Sequence, residues 1–171
     1  MNITQAIINL KKIEGGYGHE ANGEEVMEGI DQSSWNEFCR TRGLLTKPVK
    51  NLTPSEIESF YGMSYWYPLQ CPNLPDPLPF ALFQYELNTS GAGNRGRAVK
   101  DLQLLLGIVP DGVMGPLTAE AAAKYPDPKK LTILLLGMQE AYYEDLWKKH
   151  PEDPIGGWRD RVKDTKVILG L

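Results

Sequence analysis

Residues 2–17, NITQAIINLKKIEGGY, are the stretch on which the reading of the fold turns. Ile3, Ala6, Ile7, Leu10 and Ile13 recur at helical spacing and form one apolar stripe. Asn2 stands where an N-cap accepts a backbone N–H, and Gln5, three residues on, completes a capping box. Gly15 and Gly16 stop the helix at Glu14, because paired glycines enter the left-handed C-terminal conformation at little steric cost. An acid at the last helical position, next to two residues without side chains, can stand on a cleft wall that a polymer approaches closely.

Working outward, Tyr17 to Gly29 is rich in Gly, Glu and Asn and predicts a loop or a short hairpin. Asp31 opens a second helix carrying Trp35, Phe38 and Cys39. Thr53-Pro54-Ser55-Glu56 is a strong start signal, with a Thr cap, Pro at the first helical position and Glu closing the box. Five prolines between Pro68 and Pro79 disfavour regular structure and suggest an elbow, after which Phe80 to Leu87 predicts a largely buried helix. Val99, Leu102, Leu105 and Leu106 form another stripe, followed by the turn Pro110-Asp111-Gly112 and by Gly115-Pro116-Leu117-Thr118 leading into a helix over 119–124. One long helix over 128–150 and a short one from Gly156-Gly157-Trp158 complete the chain. The pattern is a mainly α bundle of about seven helices, with no sheet beyond a small β-hairpin near residues 17–30.

Bulk properties narrow the function. The length of 171 residues suits one compact domain, or a catalytic lobe with a small helical annex. Hydrophobic residues at 42% and charged residues at 23% are ordinary for a globular protein and exclude a disordered or fibrous chain. The net charge is −4, and the 18 Lys and Arg residues are scattered, which argues against nucleic acid as a partner. Cys39 and Cys71, far apart, read as reduced packing residues and fit a cytosolic folding site. The start of the chain does not read as a secretory signal, and the most apolar stretch, 131–138, is far below the roughly 20 residues that span a bilayer, so no membrane anchor is expected. His19 and His150 are the only histidines and have no metal-ligand spacing, and phosphate-loop and nucleophile-elbow motifs are missing; no metal and no cofactor are expected.

Glu14 is the acid that stands out. A carboxyl near a helix C-terminus faces the negative end of the dipole, and burial beside Tyr17 would add to the penalty on its charged form, which is what a proton donor at neutral pH requires. On these grounds alone, a solvated glutamate at a frayed helix end is the better reading.

Ile13-Glu14-Gly15-Gly16-Tyr17, followed about a dozen residues later by Gly29-Ile30, resembles the signature of glycoside hydrolase family 108, lysozyme-like N-acetylmuramidases found mostly in phages and bacteria. Tyr65-Trp66-Tyr67 before the proline-rich loop, Leu78-Pro79 leading to Phe83 and Asn88, and the run from Ala98 to Gln103 with Asp111-Gly112 and Gly115-Pro116-Leu117-Thr118 are similar to that family's middle and C-terminal halves. Gly157-Trp158-Arg159-Asp160-Arg161 resembles its closing motif. The segment 99–118 is also similar to small peptidoglycan-binding modules.

The resemblance implies a mainly helical, α+β lysozyme-like fold with its hairpin beside the active-site cleft. Residues 1–90 would form the catalytic region, and 91–171 a helical peptidoglycan-binding-like region packed on it as one compact unit. It implies bacterial peptidoglycan as the partner and Glu14 as the catalytic acid between N-acetylmuramic acid and N-acetylglucosamine. It also implies an endolysin that waits in the host cytoplasm, is released by a holin-type protein to act in the periplasm, and works as a monomer. The family's hairpin carries an aspartate and a threonine; here the loop is about two residues shorter, Val26 stands at the threonine position and the aspartate is gone. Glu20 is its nearest equivalent, with Glu24, Glu25 and Glu28 as rivals and a purely solvated acidic loop as the bland alternative. Tyr17, Tyr85 and Asn88 are candidate groove residues, since aromatic faces stack on pyranose rings and an amide bonds an N-acetyl group. The four tryptophans are read as core. Competing functions are a catalytically weakened wall-binding protein and a virion-associated or interbacterial effector muramidase.

Overall fold

Helix α1 spans Ile3–Glu14, and its cap is the expected one: the Gln5 backbone N–H donates to Asn2 Oδ1 at 2.9 Å. The computed structural model describes residues 1–14, 17–19, 25–90, 96–151 and 155–171. They divide into two compact units, an N-terminal one over Asn2–Ser64 and a C-terminal one over Tyr65–Leu171 together with Met1.

In the N-terminal unit, α1 is followed by a three-stranded antiparallel sheet of β1 (Tyr17–His19), β2 (Glu25–Met27) and β3 (Ile30–Asp31), in that order. Tyr17 pairs with Met27, Gly18 with Val26, and Met27 with Ile30. The hairpin expected from sequence is thus present and carries a third short strand. Glu28 and Gly29 form the tight turn between β2 and β3 with φ of 53° and 83°. Positive φ at both central positions is the geometry that follows the natural twist of a hairpin. Asp31 then caps α2 (Gln32–Arg42) by accepting from the Ser34 N–H. Thr53 and Glu56 complete both halves of the capping box of α3 (Pro54–Tyr61). Ala6 and Leu10 of α1, Trp35 and Phe38 of α2, and Ile57 and Phe60 of α3 are buried and make this unit's core. Phe38 packs on Trp35 and Phe60 at ring-centroid distances of 5.5 and 5.3 Å.

In the C-terminal unit the prolines give turns and one short helical turn at Cys71–Asn73, and α4 spans Leu78–Ser90. Pro79 lies in the first turn of α4, where a missing N–H costs nothing, so the helix starts two residues earlier than Phe80. Residues 78–86 are all buried, as befits a helix apolar on every side. It is followed by α5 (Arg97–Leu105), α6 (Pro116–Ala123), α7 (Pro128–Lys149) and α8 (Ile155–Leu169), of which α5 and α7 pack against α4 and α8 packs against α7. The last is not short: Val162 and Thr165 are fully buried and continue the stripe begun by Trp158. The described residues hold eight α-helices, one more than expected. No helix among them is long and apolar enough to cross a membrane. Cys39 and Cys71 are free and buried.

Candidate functional site

Glu14 is the last residue of α1, and β1 begins three residues later at Tyr17. Chain geometry alone therefore keeps the Cα atoms of Glu14 and Tyr17 within about 11 Å, so the helix end and the sheet edge are neighbours. The α1 stripe of Ala6, Ile7 and Leu10 is buried, which holds the helix by its apolar face. The side chains of Glu14 and Tyr17 lie outside the described structure, as do Gly15, Gly16, Glu20 and Glu24 and the side chain of Glu25.

Glu28 is the one candidate second carboxylate whose side chain is described. Its Oε1 lies 2.8 Å from Lys11 Nζ, with only 13% of the Glu28 side chain exposed, and its Oε2 is enclosed with no partner among the described residues. Its carbonyl accepts from the Tyr61 hydroxyl at 2.6 Å. A non-glycine residue in the left-handed region costs about 1 kcal/mol, and these two bonds offset it. Glu28 is thereby turned toward α1 and α3 and anchors the hairpin turn beside the helix that ends in Glu14. Sequence could not show this, because Glu-Gly lacks the Asn-Gly or Asp-Gly signature of such turns.

Tyr85 sits in the middle of α4 with no exposed surface, and its hydroxyl donates to Asp101 Oδ2 at 2.7 Å. Asp101 also accepts from Arg97 Nε at 2.9 Å. Burial and the adjacent carboxylate push the Tyr85 hydroxyl far above its ordinary pKa, so it stays a neutral donor. The expectation that Tyr85 lines a sugar groove is corrected here: neither face of its ring is open to a pyranose. The stacking chemistry of an aromatic ring suggested it, and ring type cannot tell the inner from the outer face of a helix buried all round.

Asn88, one turn further, is half-buried, and its Oδ1 accepts from the Tyr143 hydroxyl at 2.6 Å. That hydroxyl accepts in turn from Gln139 Nε2 at 2.8 Å. Gln139 exchanges bonds with Gln84, whose Nε2 also donates to the Ala81 carbonyl at 3.2 Å. Neither glutamine nor Tyr143 was singled out from sequence, since nothing local announces a bond across 55 residues.

A cleft of about 620 Å³ opens between the end of α5 and α6, lined by Val109, Asp111, Leu117, Thr118, Ala121 and Lys124 among others. Its wall is set by Gln103, 2% exposed, whose Nε2 donates to Asp111 Oδ1 and Thr118 Oγ1 while its Oε1 accepts from Gly112 N. Gly96 and Gly112 touch here in left-handed conformations: a Cβ on Gly96 would meet Gly112 O at 2.7 Å. Glu86, buried in α4, accepts from the Gly96 and Ala98 N–H groups and so closes the N-terminus of α5. Leu117 and Val109, 80% and 78% exposed, are large aliphatics left in solvent at the rim, as on a binding surface. Among the described residues no group of three or more His, Cys, Asp or Glu side chains is placed to hold a metal ion.

Comparison with known proteins matches two families along the chain. Residues 7–90 match the family described as glycosyl hydrolase 108, and residues 97–163 match the family described as predicted peptidoglycan domain. The first match ends with α4, although α4 packs with α5 and α7 in the C-terminal unit. The fold is similar to the solved structure of Brucella abortus SagA, with a TM-score of 0.70 and 23% identity over 98% of this chain and 94% of that one. No curated protein sequence matches. Residues 7–90 therefore belong to the glycosyl hydrolase 108 family, and the chain is a glycoside hydrolase of the peptidoglycan-cleaving, lysozyme-like kind.

Proposed function

We propose that this glycosyl hydrolase cleaves the β-1,4 bond between N-acetylmuramic acid and N-acetylglucosamine, with Glu14 as the general acid. The observation that carries the reading is the position of Glu14 at the C-terminus of a helix whose next element is the sheet. The negative end of the helix dipole favours the protonated form of a carboxyl there, the direction required of a group that delivers a proton to the glycosidic oxygen. As the leaving sugar takes that proton, positive charge develops on the anomeric carbon, and a second carboxylate either directs water or stabilises the cation. Glu20 is the residue we assign to that role. The cleft at Leu117 and Val109 serves as a hold on the wall polymer, which keeps the enzyme on an insoluble substrate between cuts.

The biological setting we propose is that of an endolysin: a monomer that folds in the host cytoplasm and reaches the wall when a holin-type protein opens the inner membrane. The chemistry is tested with purified sacculi and mass analysis of reducing ends. Wild type should release disaccharide-peptides ending in muramic acid, and Glu14→Gln should release them at least about 100-fold more slowly with an unchanged melting temperature. Cleavage only at peptide bonds, or full activity in Glu14→Gln, would overturn the assignment. A second reading, a wall binder with weakened catalysis, is favoured by the missing hairpin aspartate together with the predicted peptidoglycan domain. It expects sacculi to bind both proteins tightly without being solubilised by either.

A further inference from the structure

We infer that Asn88 meets the glycan only as a hydrogen-bond donor, and that Tyr143, with Gln139 and Gln84 behind it, is the positioning residue that fixes it so. The inference rests on the reading above that the chain binds an amino-sugar polymer, and it names the group on that polymer which Asn88 would contact.

The direction of the hydrogen bonds follows from one backbone atom. The Ala81 carbonyl can only accept, so the Gln84 amide atom 3.2 Å from it is the nitrogen. That nitrogen also lies 2.7 Å from Gln139, whose facing atom must therefore be its oxygen. The Gln139 nitrogen is then the atom left to donate, at 2.8 Å, to the Tyr143 oxygen. A phenol has one proton, and with Gln139 donating to it, the proton of Tyr143 goes outward to Asn88 at 2.6 Å. The Asn88 atom that receives it must be Oδ1. Both glutamines are fully buried, and reversing either amide would set two donors or two acceptors face to face.

The amide group of Asn88 is thus turned, with its oxygen spent inward and its Nδ2 hydrogens left over. No described residue partners Nδ2, and Asn88 stands in the last turn of α4, half-buried rather than sealed. A fixed donor pair of this kind accepts a carbonyl or other acceptor oxygen and repels another donor. On a bacterial glycan the strongest neutral acceptor is the carbonyl oxygen of the N-acetyl group. A de-N-acetylated sugar offers an ammonium in its place, which is a donor only. Asn88 therefore discriminates acetylated from de-N-acetylated strands, and it does so because Tyr143 stops the amide from turning over.

The test is binding of soluble, peptide-free glycan strands, acetylated or chemically de-N-acetylated, to full-length protein in the Glu14→Gln background, at high salt so that surface charge is screened. The unmodified background should bind acetylated strands at least about ten-fold more tightly, the size of one hydrogen bond to a fixed donor. Adding Asn88→Asp, which places an acceptor outward, should abolish that preference. Adding Tyr143→Phe, which lets the amide rotate, should reduce it several-fold. Tyr85→Phe breaks a different buried hydrogen bond of the same unit and controls for lost stability; it should leave the preference intact. Equal binding of the two strands by the background protein, or an unchanged preference in Asn88→Asp, would overturn the inference. Failure of the catalytic reading is seen separately in the reducing-end assay, since binding is measured without turnover.

Discussion

Each of the two units of this protein is built on its own kind of polar contact. Among the described residues, Asn9 is the only buried polar side chain of the N-terminal unit, whereas the C-terminal unit buries Gln84, Glu86, Asp101, Gln103 and Gln139. The N-terminal unit uses its polar residues at helix starts, where Asn2, Asp31 and Thr53 each satisfy an N–H three residues away. The C-terminal unit uses them across the core, as in the bond from Tyr85 to Asp101 and the chain from Gln84 to Asn88. Caps of the first kind are worth about 1 kcal/mol each and act alone. Buried bonds of the second kind are nearly neutral when complete and costly when broken, because the partner left behind has no water to turn to. One unit should therefore tolerate polar substitution gradually, and the other should fail abruptly.

The largest effect is expected at Asp101. Asp101→Ala strands the fully buried Tyr85 hydroxyl and leaves Arg97 without its carboxylate, and should lower stability by about 3 kcal/mol in urea unfolding. A loss below about 1 kcal/mol, on the scale of a surface pair, would remove the contrast between the units. Thr53→Ala, which removes the side-chain half of the α3 capping box and keeps the backbone N–H to Glu56, should cost about 1 kcal/mol and leave binding to sacculi unchanged. A loss as large as that at Asp101 would show that the N-terminal unit is no less cooperative than its neighbour.

The smallest effect is a pH dependence. Lys47, at 2.7 Å, and the Thr53 hydroxyl and N–H hold the Glu56 carboxyl at about 2, below its ordinary 4.5. A depressed carboxyl contributes stability that is complete above its ordinary value and is lost as the pH falls from about 4.5 towards 2. Because Glu56 is over a third exposed, the contribution is under about 1 kcal/mol after screening by solvent. Melting temperatures measured across that window should fall less steeply in Glu56→Gln than in wild type, and parallel curves would show that the ion pair contributes nothing.

Much of the N-terminal unit was legible because its code is local. The stripe from Ile3 to Leu10, the Thr53 capping box and the Asp31 cap are each written within a few residues, and each lies where the sequence put it. The β2–β3 turn was less legible, since Glu28 adopts a left-handed conformation only because Lys11 and Tyr61, remote in sequence, hold it there. The mistaken placing of Tyr85 in a groove has the same origin: α4 has no polar face to show which side is out.

The sequence by itself determined the helical class, the capped helix starts of the N-terminal unit, the hairpin and the acid at the end of α1, because periodicity and capping act over one or two turns and do not depend on what packs nearby. Only the tertiary structure decided which polar groups are spent inside. Tyr85 is committed to Asp101, Glu28 to Lys11, and the oxygen of Asn88 to Tyr143. A hydrogen bond between residues 55 apart leaves no trace in the spacing of either one, and its direction is fixed by a carbonyl that no sequence pattern marks.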